Sequence, residues 1–232
     1  MDSYNHYLIA KYSWEHPHLF LDYWGKPIYN ILASPFVQFG LNGAFVFNLL
    51  CLLGSSVLAY LSARTLGLQY AWLAFLLTLL SPIFLDQIIS SLTEPLSALL
   101  VMLTLYLIIR QKWMTGAVLA GFLPFARSEG FVVLAVVIIY YLWQARKWQY
   151  FAALFTGSIF FNLLGWSITG KPFWVITENP YINFELSGNN ICGSGGLFHY
   201  FWAGHYTFSL AICGLLVIAA FFIVKNNPFK QP

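Results

Sequence analysis

The chain has 232 residues, of which 59% are hydrophobic and only 8% carry a formal charge. Its mean hydropathy is +0.71, whereas a soluble globular domain carries about 25% charged residues. The composition therefore excludes a soluble domain and indicates a protein that faces lipid. The net charge of +3 is too small to indicate a nucleic-acid partner.

Seven apolar runs follow a polar N-terminal segment. A membrane-crossing helix needs about 20 apolar residues, and the first run would form about 30 Å of helix. Several other runs have only about 13 to 16 residues, so their crossing has to be judged from the loops between them. The runs cover residues 43–63, 70–85, 95–109, 113–125, 130–143, 149–168 and 207–224.

The few charged residues segregate between the two sets of loops. If every run crosses and residues 1–42 lie outside, the outer segments hold all eight acidic residues and only four basic ones. The inner loops then hold seven basic residues and no acidic residue, which is the bias of cytoplasmic loops. The seven are Arg64, Arg110, Lys112, Arg146, Lys147, Lys225 and Lys230.

A rival topology treats residues 113–143 as one long helix. That helix would carry Arg127 and Glu129 through the bilayer, at about 2.5–3.5 kcal/mol each, and would invert everything downstream. The sequence therefore favours a hairpin whose tip, residues 124–130, lies at or near the outer surface. Because non-helical backbone at that depth needs a protein-lined or watery space, we expect a cavity on the outer side.

The predicted fold is all-α: a polytopic helical membrane protein with about seven spans. Residues 1–42 form an extracytoplasmic loop with two short interfacial helices, one near the start and one after Pro27. Residues 43–232 form the transmembrane domain, which includes an outer loop over 169–206. The three cysteines have no spacing typical of a disulfide framework or a zinc site.

Four outer segments carry residues with chemical potential. They contain Asp2, Lys26, Arg127 with Glu129, and Asp86 with Glu94. A carboxylate can act as a general base towards an acceptor hydroxyl, and Lys or Arg can stabilise a departing phosphate. Together they are the minimum set for transferring a group from a phosphate-linked donor.

Each residue also has a purely structural interpretation. Asp2 can be a solvated terminus or a helix cap, and Lys26 can extend its side chain to the membrane interface. Arg127 and Glu129 can form a structural pair at a turn, and Glu94 before Pro95 is typical of a helix start. The histidines in the loop 169–206 are more typical of an interface than of a metal site.

The order of these motifs resembles that of a known enzyme class. An outer Asp, an interfacial helix, the sequence Trp24-Gly25-Lys26-Pro27-Ile28-Tyr29 and a second interfacial helix follow one another. This arrangement resembles the first outer loop of GT-C-fold, lipid-phosphate-dependent glycosyltransferases, with protein O-mannosyltransferases and lipid A aminoarabinose transferases as the nearest groups. The segments 91–96, 126–130 and 169–173 are also similar to members of this superfamily.

The resemblance implies an inverting glycosyltransferase without a cofactor or metal. It would move a sugar of hexosyl or mannosyl type from a polyprenyl-phosphate donor to a glycan, lipid or protein acceptor on the extracytoplasmic side. Asp2 would be the catalytic carboxylate, and Lys26 and Arg127 would bind the donor phosphate. The supporting or cavity-lining residues would be Glu129, Glu94, Asp86, Trp24, Tyr29 and His199.

The chain also departs from this family. The family has a transmembrane helix before its catalytic Asp and a second acid directly after it, whereas Ser3 follows Asp2 here. We therefore expect a truncated product, a mis-assigned start or a divided protein. The alternative functions are a transporter or flippase for a lipid-linked or anionic solute, and an inactive fragment of the transferase. The absence of any Asn-x-Ser/Thr sequence favours a bacterial plasma membrane.

Overall fold

The computed structural model describes residues 2–144 and 147–178, which belong to one compact unit, Met1–Ser187. Every regular element in these two ranges is helical, which confirms the all-α prediction there. The seventh apolar run, His199 and the loop beyond residue 178 lie outside the described residues. The helices are α1 (Asp2–Tyr12), α2 (Pro27–Val37), α3 (Leu41–Thr65), α4 (Ala71–Leu79), α5 (Pro82–Ile88), α6 (Glu94–Ile109), α7 (Trp113–Ala120), α8 (Leu123–Ala126), α9 (Gly130–Gln144), α10 (Trp148–Leu154), α11 (Thr156–Thr169) and α12 (Trp174–Thr177).

Two short helices, α1 and α2, precede the first long helix, as predicted. A 3₁₀ turn over Pro17–Leu21 separates them, and α2 starts with Pro27, a residue suited to a first helical turn. The buried Asn30 amide donates to the carbonyls of Leu19 and Asp22 and so ties the 3₁₀ turn to α2. The result is a compact N-terminal layer that packs on α3.

The long helix α3 is the centre of the unit. Its 25 residues extend about 37 Å, and it packs against α2, α4, α5 and α6. Asn48 on its buried face donates to the carbonyls of Gln87, at 3.2 Å, and Ser90, at 2.8 Å. This amide therefore gives a hydrogen-bond donor to the Ser90 carbonyl, which lies between α5 and α6 and needs a partner outside a helix.

The next apolar run is broken. Helices α4 and α5 meet at an angle of 50°, because Pro82 cannot donate a backbone hydrogen bond and Ser81 before it is extended. Together the pair is long and apolar enough to count as one bent span or as a re-entrant loop.

Two helical segments are long and apolar enough to cross a membrane on their own, or three if the bent pair is one span. These are α3 and the continuous stretch Trp148–Thr169 formed by α10 and α11. The seven crossings expected from the sequence are not supported among the described residues. Helix α6 has 16 residues and α9 has 15, so each is about 24 Å long or shorter, less than a bilayer core of about 30 Å.

The hairpin predicted over residues 113–143 is present. The helical stretch α7–α8 ends at Ala126, Arg127 is extended, and α9 begins at Gly130. The Tyr141 hydroxyl donates to the carbonyl of Trp113 at 2.7 Å, whereas one continuous helix would hold these residues about 42 Å apart. The rival topology, a single long helix, is therefore excluded by this contact.

Helices α7 and α11 meet at two glycines. An ideal Cβ on Gly157 would overlap the carbonyl oxygen of Gly121, and one on Gly121 would lie 2.5 Å from the carbonyl oxygen of Leu154. Since the obstructing atoms are backbone, neither position can accept a side chain without moving a helix.

We expect Gly157→Ala to lower the free energy of unfolding in detergent by ~1–3 kcal/mol, the usual cost of overpacking. The matched control is Gly54→Ala in α3, whose new Cβ would meet only the flexible end of Leu99, at 2.8 Å. The free energy of unfolding of both variants is measured in mixed micelles. Equal stabilities for the two variants would contradict the close approach of α7 and α11.

Candidate functional site

Four segments that are far apart in sequence form one group of charged and polar side chains. They are the first turns of α1, the residue before α2, the start of α6 and the turn between α8 and α9. We call this group the charged cluster, and its members are Asp2, His6, Lys26, Glu94, Arg127, Ser128 and Glu129. Each of the four outer segments singled out in the sequence contributes at least one member.

Arg127 lies at the centre of the charged cluster. Its Nη1 is 2.5 Å from Glu94 Oε1, while its Nε and Nη2 donate to the two carboxylate oxygens of Glu129 at 3.1 and 2.7 Å. The structural pair considered for Arg127 and Glu129 is therefore present, and Glu94 joins it from a different helix. The guanidinium connects the turn after α8 to the first residue of α6.

The ion pairs of Arg127 shift the pKa values of both Arg127 and Glu129. Burial lowers the pKa of Arg127, but hydrogen bonds and Coulomb attraction from Glu129 and Glu94 outweigh burial, and its pKa is raised. The hydrogen bond from Arg127 lowers the pKa of Glu129, with a smaller contribution from Lys26. The central pair is thus fully ionised at neutral pH.

Lys26 reaches the same turn from the N-terminal layer. Its Nζ donates to Ser128 Oγ at 3.1 Å, across 102 positions of sequence. Its backbone has a φ of +64°, a conformation that costs a non-glycine residue about 1–3 kcal/mol. The chain is held there by Pro27 on one side and on the other by Gly25, whose N–H donates to Asp22 Oδ1 at 2.7 Å. Strain of this kind is concentrated at functional positions.

His6 is a member of the charged cluster that the sequence analysis did not select. It is buried on α1, one helical turn after Asp2, and its ring lies 6.0 Å from that of Tyr29. Burial lowers the pKa of His6, and the charges of Glu94, Lys26, Asp2 and Arg127 act on it. The imidazole is therefore neutral at physiological pH. The spacing i, i+4 from Asp2 was the available signal, because it places both side chains on one helix face.

Tyr29, expected to line a cavity, lies in the core beneath His6. It is fully buried and its ring packs against Phe47 at 5.7 Å. Burial raises the pKa of its hydroxyl, and the negative charge of Glu94 adds to this effect.

Four buried polar atoms in this region have no hydrogen-bond partner among the described residues. They are His6 Nδ1, Tyr29 Oη, Ser91 Oγ and Glu94 Oε2. Each unsatisfied atom costs about 1–3 kcal/mol, so such atoms normally have a water or a ligand as a partner. The four atoms lie beside the charged cluster, where they offer hydrogen-bonding groups to a polar molecule.

Two of the predicted site residues lie elsewhere. Asp86 is exposed on α5 and makes no hydrogen bond or ion pair within the part of the chain that the structure describes. Trp24 is 56% exposed and lines a separate cavity of about 390 Å³ with Asp22, Tyr23 and Trp174. The short turn 22–26 thus directs Lys26 into the charged cluster and Trp24 into this second cavity.

The second cavity is built on aromatic contacts. Tyr23 stacks on Trp174 with ring centroids 4.7 Å apart, and its hydroxyl donates to the carbonyl of Val175 at 2.7 Å. Glu178, directly after α12, pairs with Lys171 at 2.5 Å. The contacts of Tyr23 fix α12 against the turn that carries Lys26.

The burial of His6 predicts that the free energy of unfolding depends on pH. Its folded-state pKa lies below the ordinary value of 6.5, so the unfolded chain binds more protons between these two values. The contribution of the neutral His6 to the free energy of unfolding is therefore fully present above about pH 6.5. It is lost as the pH falls from there through the folded-state pKa. We expect the free energy of unfolding to decrease between about pH 7.5 and about pH 5.5, by less than ~1.4 kcal/mol per pH unit.

His6→Asn should remove this decrease, while the control His16→Asn, at an exposed position, should keep it. The interval lies above the range in which Glu129 is protonated, since the pKa of Glu129 is lowered from 4.5. The interpretation of His6 fails if the wild-type chain and His6→Asn show the same pH dependence.

The charged cluster can perform three chemical tasks side by side. Lys26 and Arg127 can hold an anion, the carboxylates of Asp2 and Glu94 can accept a proton, and the unpaired polar atoms can bind hydroxyl groups.

No protein-family model, curated protein or solved structure matches the chain.

Proposed function

We propose that the protein is an integral-membrane glycosyltransferase of the GT-C type. It transfers a sugar from a polyprenyl-phosphate donor to an acceptor on the extracytoplasmic side. The observation that carries the proposal is the meeting of Lys26 with the Arg127–Ser128–Glu129 turn, directly beside buried polar atoms that lack partners. Two cations for a phosphate, carboxylates for a proton and unpaired groups for sugar hydroxyls then occupy one place.

The proposed membrane position follows the distribution of charge along α6. Glu94 lies at its N-terminus within the charged cluster, and Arg110 follows its C-terminus. With basic residues at the inner end, α6 points its charged cluster outward, away from the cytoplasm. The proposed location is a bacterial plasma membrane, with the charged cluster on its extracytoplasmic side.

The donor phosphate would bind between Lys26 and Arg127. The charged cluster contains two basic side chains and three acidic ones. With His6 neutral, the cluster therefore has a formal net charge of one negative unit. A phosphodiester adds another negative charge and competes with Glu94 for Arg127 Nη1. Donor binding therefore releases Glu94, while the bidentate contact of Glu129 keeps the guanidinium in place.

The reaction is a single displacement with inversion. The acceptor oxygen forms a bond to the anomeric carbon of the sugar as the bond from that carbon to the phosphate oxygen breaks. The electron pair leaves with the polyprenyl phosphate, whose charge Lys26 and Arg127 stabilise. Asp2, exposed at the start of α1, accepts the proton of the acceptor hydroxyl.

The two cations provide the direct test. We expect Lys26→Ala and Arg127→Ala each to slow transfer by about 100-fold, the usual effect of removing one stabilising group of a transition state. The measurement is release of undecaprenyl phosphate from its mannose and aminoarabinose conjugates by protein in nanodiscs. Lys11→Ala on α1 is the matched control and should keep the wild-type rate, because the Lys11 ammonium lies over the rings of Tyr7 and Tyr12 and not in the charged cluster.

Wild-type transfer by both variants would contradict the assignment. Movement of the intact donor between leaflets of proteoliposomes, without any released polyprenyl phosphate, would instead establish the flippase alternative.

A second test concerns the competition between Glu94 and the phosphate. We expect Glu94→Gln to bind undecaprenyl phosphate several-fold more tightly, because the neutral amide removes one negative charge from Arg127. Glu15→Gln, which alters an exposed acid outside the charged cluster, should leave the affinity unchanged. Weaker binding by Glu94→Gln would show that Glu94 positions Arg127 for the donor and does not compete with it.

A further inference from the structure

A second site with unpaired cations lies at the other end of α3 and α6. The last turns of the two helices form an open pocket of about 340 Å³, which we call the arginine pocket. It is lined by Leu61, Arg64, Thr65, Tyr106 and Arg110. No residue of the charged cluster takes part in it.

Neither arginine of this pocket has a carboxylate partner in residues 2–144 and 147–178. Arg64 reaches only the Tyr60 hydroxyl, at 3.5 Å, and Arg110 lies over the Tyr106 ring with its Cζ 6.0 Å from the centroid. Arg64 and Arg110 line the same open pocket, and an anion between two guanidinium groups reduces their mutual repulsion. The pocket is therefore suited to a negatively charged ligand.

The ordinary task of a basic residue at a helix end is to bind the last carbonyl groups. Here the backbone already does this at both helix ends. At the end of α3 the N–H groups of Gly67 and Leu68 donate to the carbonyls of Arg64 and Ala63, at 3.0 and 3.1 Å. The pattern is that of a Schellman cap, with Gly67 at a φ of +73°.

Helix α6 ends in the same way. The N–H groups of Gln111 and Lys112 donate to the carbonyls of Ile108 and Leu107, at 2.9 and 2.8 Å. Gln111 adopts a φ of +56° to make this cap, although a non-glycine residue is strained there. Because both helix ends are closed by backbone, the donors of Arg64 and Arg110 remain available for a ligand.

We propose that Arg64 and Arg110 bind a phosphate group, and that its source is the head group of an anionic phospholipid. Guanidinium forks match phosphate oxygens in geometry and charge. Leu66 and Leu68 follow the pocket residues Arg64 and Thr65 in sequence, and with exposures of 61% and 58% they offer an apolar surface to an acyl chain. Basic pockets between membrane helices are known to hold anionic head groups.

The test uses the whole chain in nanodiscs and needs no sugar donor. Native mass spectrometry compares retention of phosphatidylglycerol with that of phosphatidylcholine from a mixed bilayer. We expect the wild-type protein to retain phosphatidylglycerol selectively, and Arg64→Gln or Arg110→Gln each to reduce this preference about fivefold. Lys112→Gln is the matched control, since Lys112 is exposed just after α6 but does not line the pocket.

A thermal-melting series separates the two sources of phosphate. Stabilisation by phosphatidylglycerol but not by inorganic phosphate supports a lipid head group, and stabilisation by both supports a phosphate site that needs no acyl chain. Arg64→Lys retains the charge and the fold but loses the fork, so it should have an intermediate preference. Equal retention of both lipids by the wild type, or an unchanged preference in both glutamine variants, overturns the proposal.

Discussion

The ion pairs of one arginine organise the end of the molecule that carries the candidate site. Arg127 pairs with Glu94 at 2.5 Å and with both carboxylate oxygens of Glu129. In a chain with 8% charged residues, these three side chains fix the turn after α8 to the start of α6. Removing Arg127 would leave the carboxylate of Glu94 without its ion-pair partner, which is costly for a partly buried charge. The Ser128 hydroxyl that receives Lys26 is part of the same turn, so the N-terminal layer depends on it too.

Much of the candidate site was predictable because charged residues are scarce in this chain. Sorting the charged residues by side brought together the segments of Asp2, Lys26, Glu94 and Arg127. Their actual partners were not predictable, since Glu94 and Arg127 are separated by 33 positions and only helix packing brings them together. The burial of His6, and of Tyr29 beneath it, depends on how α1 lies on α2 and α3. The spacing from Asp2 places His6 on the same helix face, but it does not show that this face is buried.

The helical elements followed from the apolar runs, but the number of spans did not. The hairpin over 113–143 was predictable from the cost of burying Arg127 and Glu129, and the contact of Tyr141 with Trp113 confirms it. Seven spans are not supported among the described residues, because a run of apolar residues can hide a break in the backbone or form too short a helix. Pro82 divides one run into two helices at 50°, and α6 and α9, with 16 and 15 residues, are shorter than a bilayer core. Hydropathy measures how apolar a segment is, not how long its helix remains straight.

The hydrogen bonds of Asn48 have a consequence for how the chain is assembled. Its amide, on α3, serves carbonyl groups that follow 39 and 42 positions later. During synthesis α3 is therefore made before the backbone it will satisfy exists. Until residues 87–90 emerge, the polar amide of Asn48 lies in an apolar helix without these partners, and afterwards it donates to the Ser90 carbonyl between α5 and α6. A residue of an earlier helix thus supplies a hydrogen bond that the later break in the chain requires.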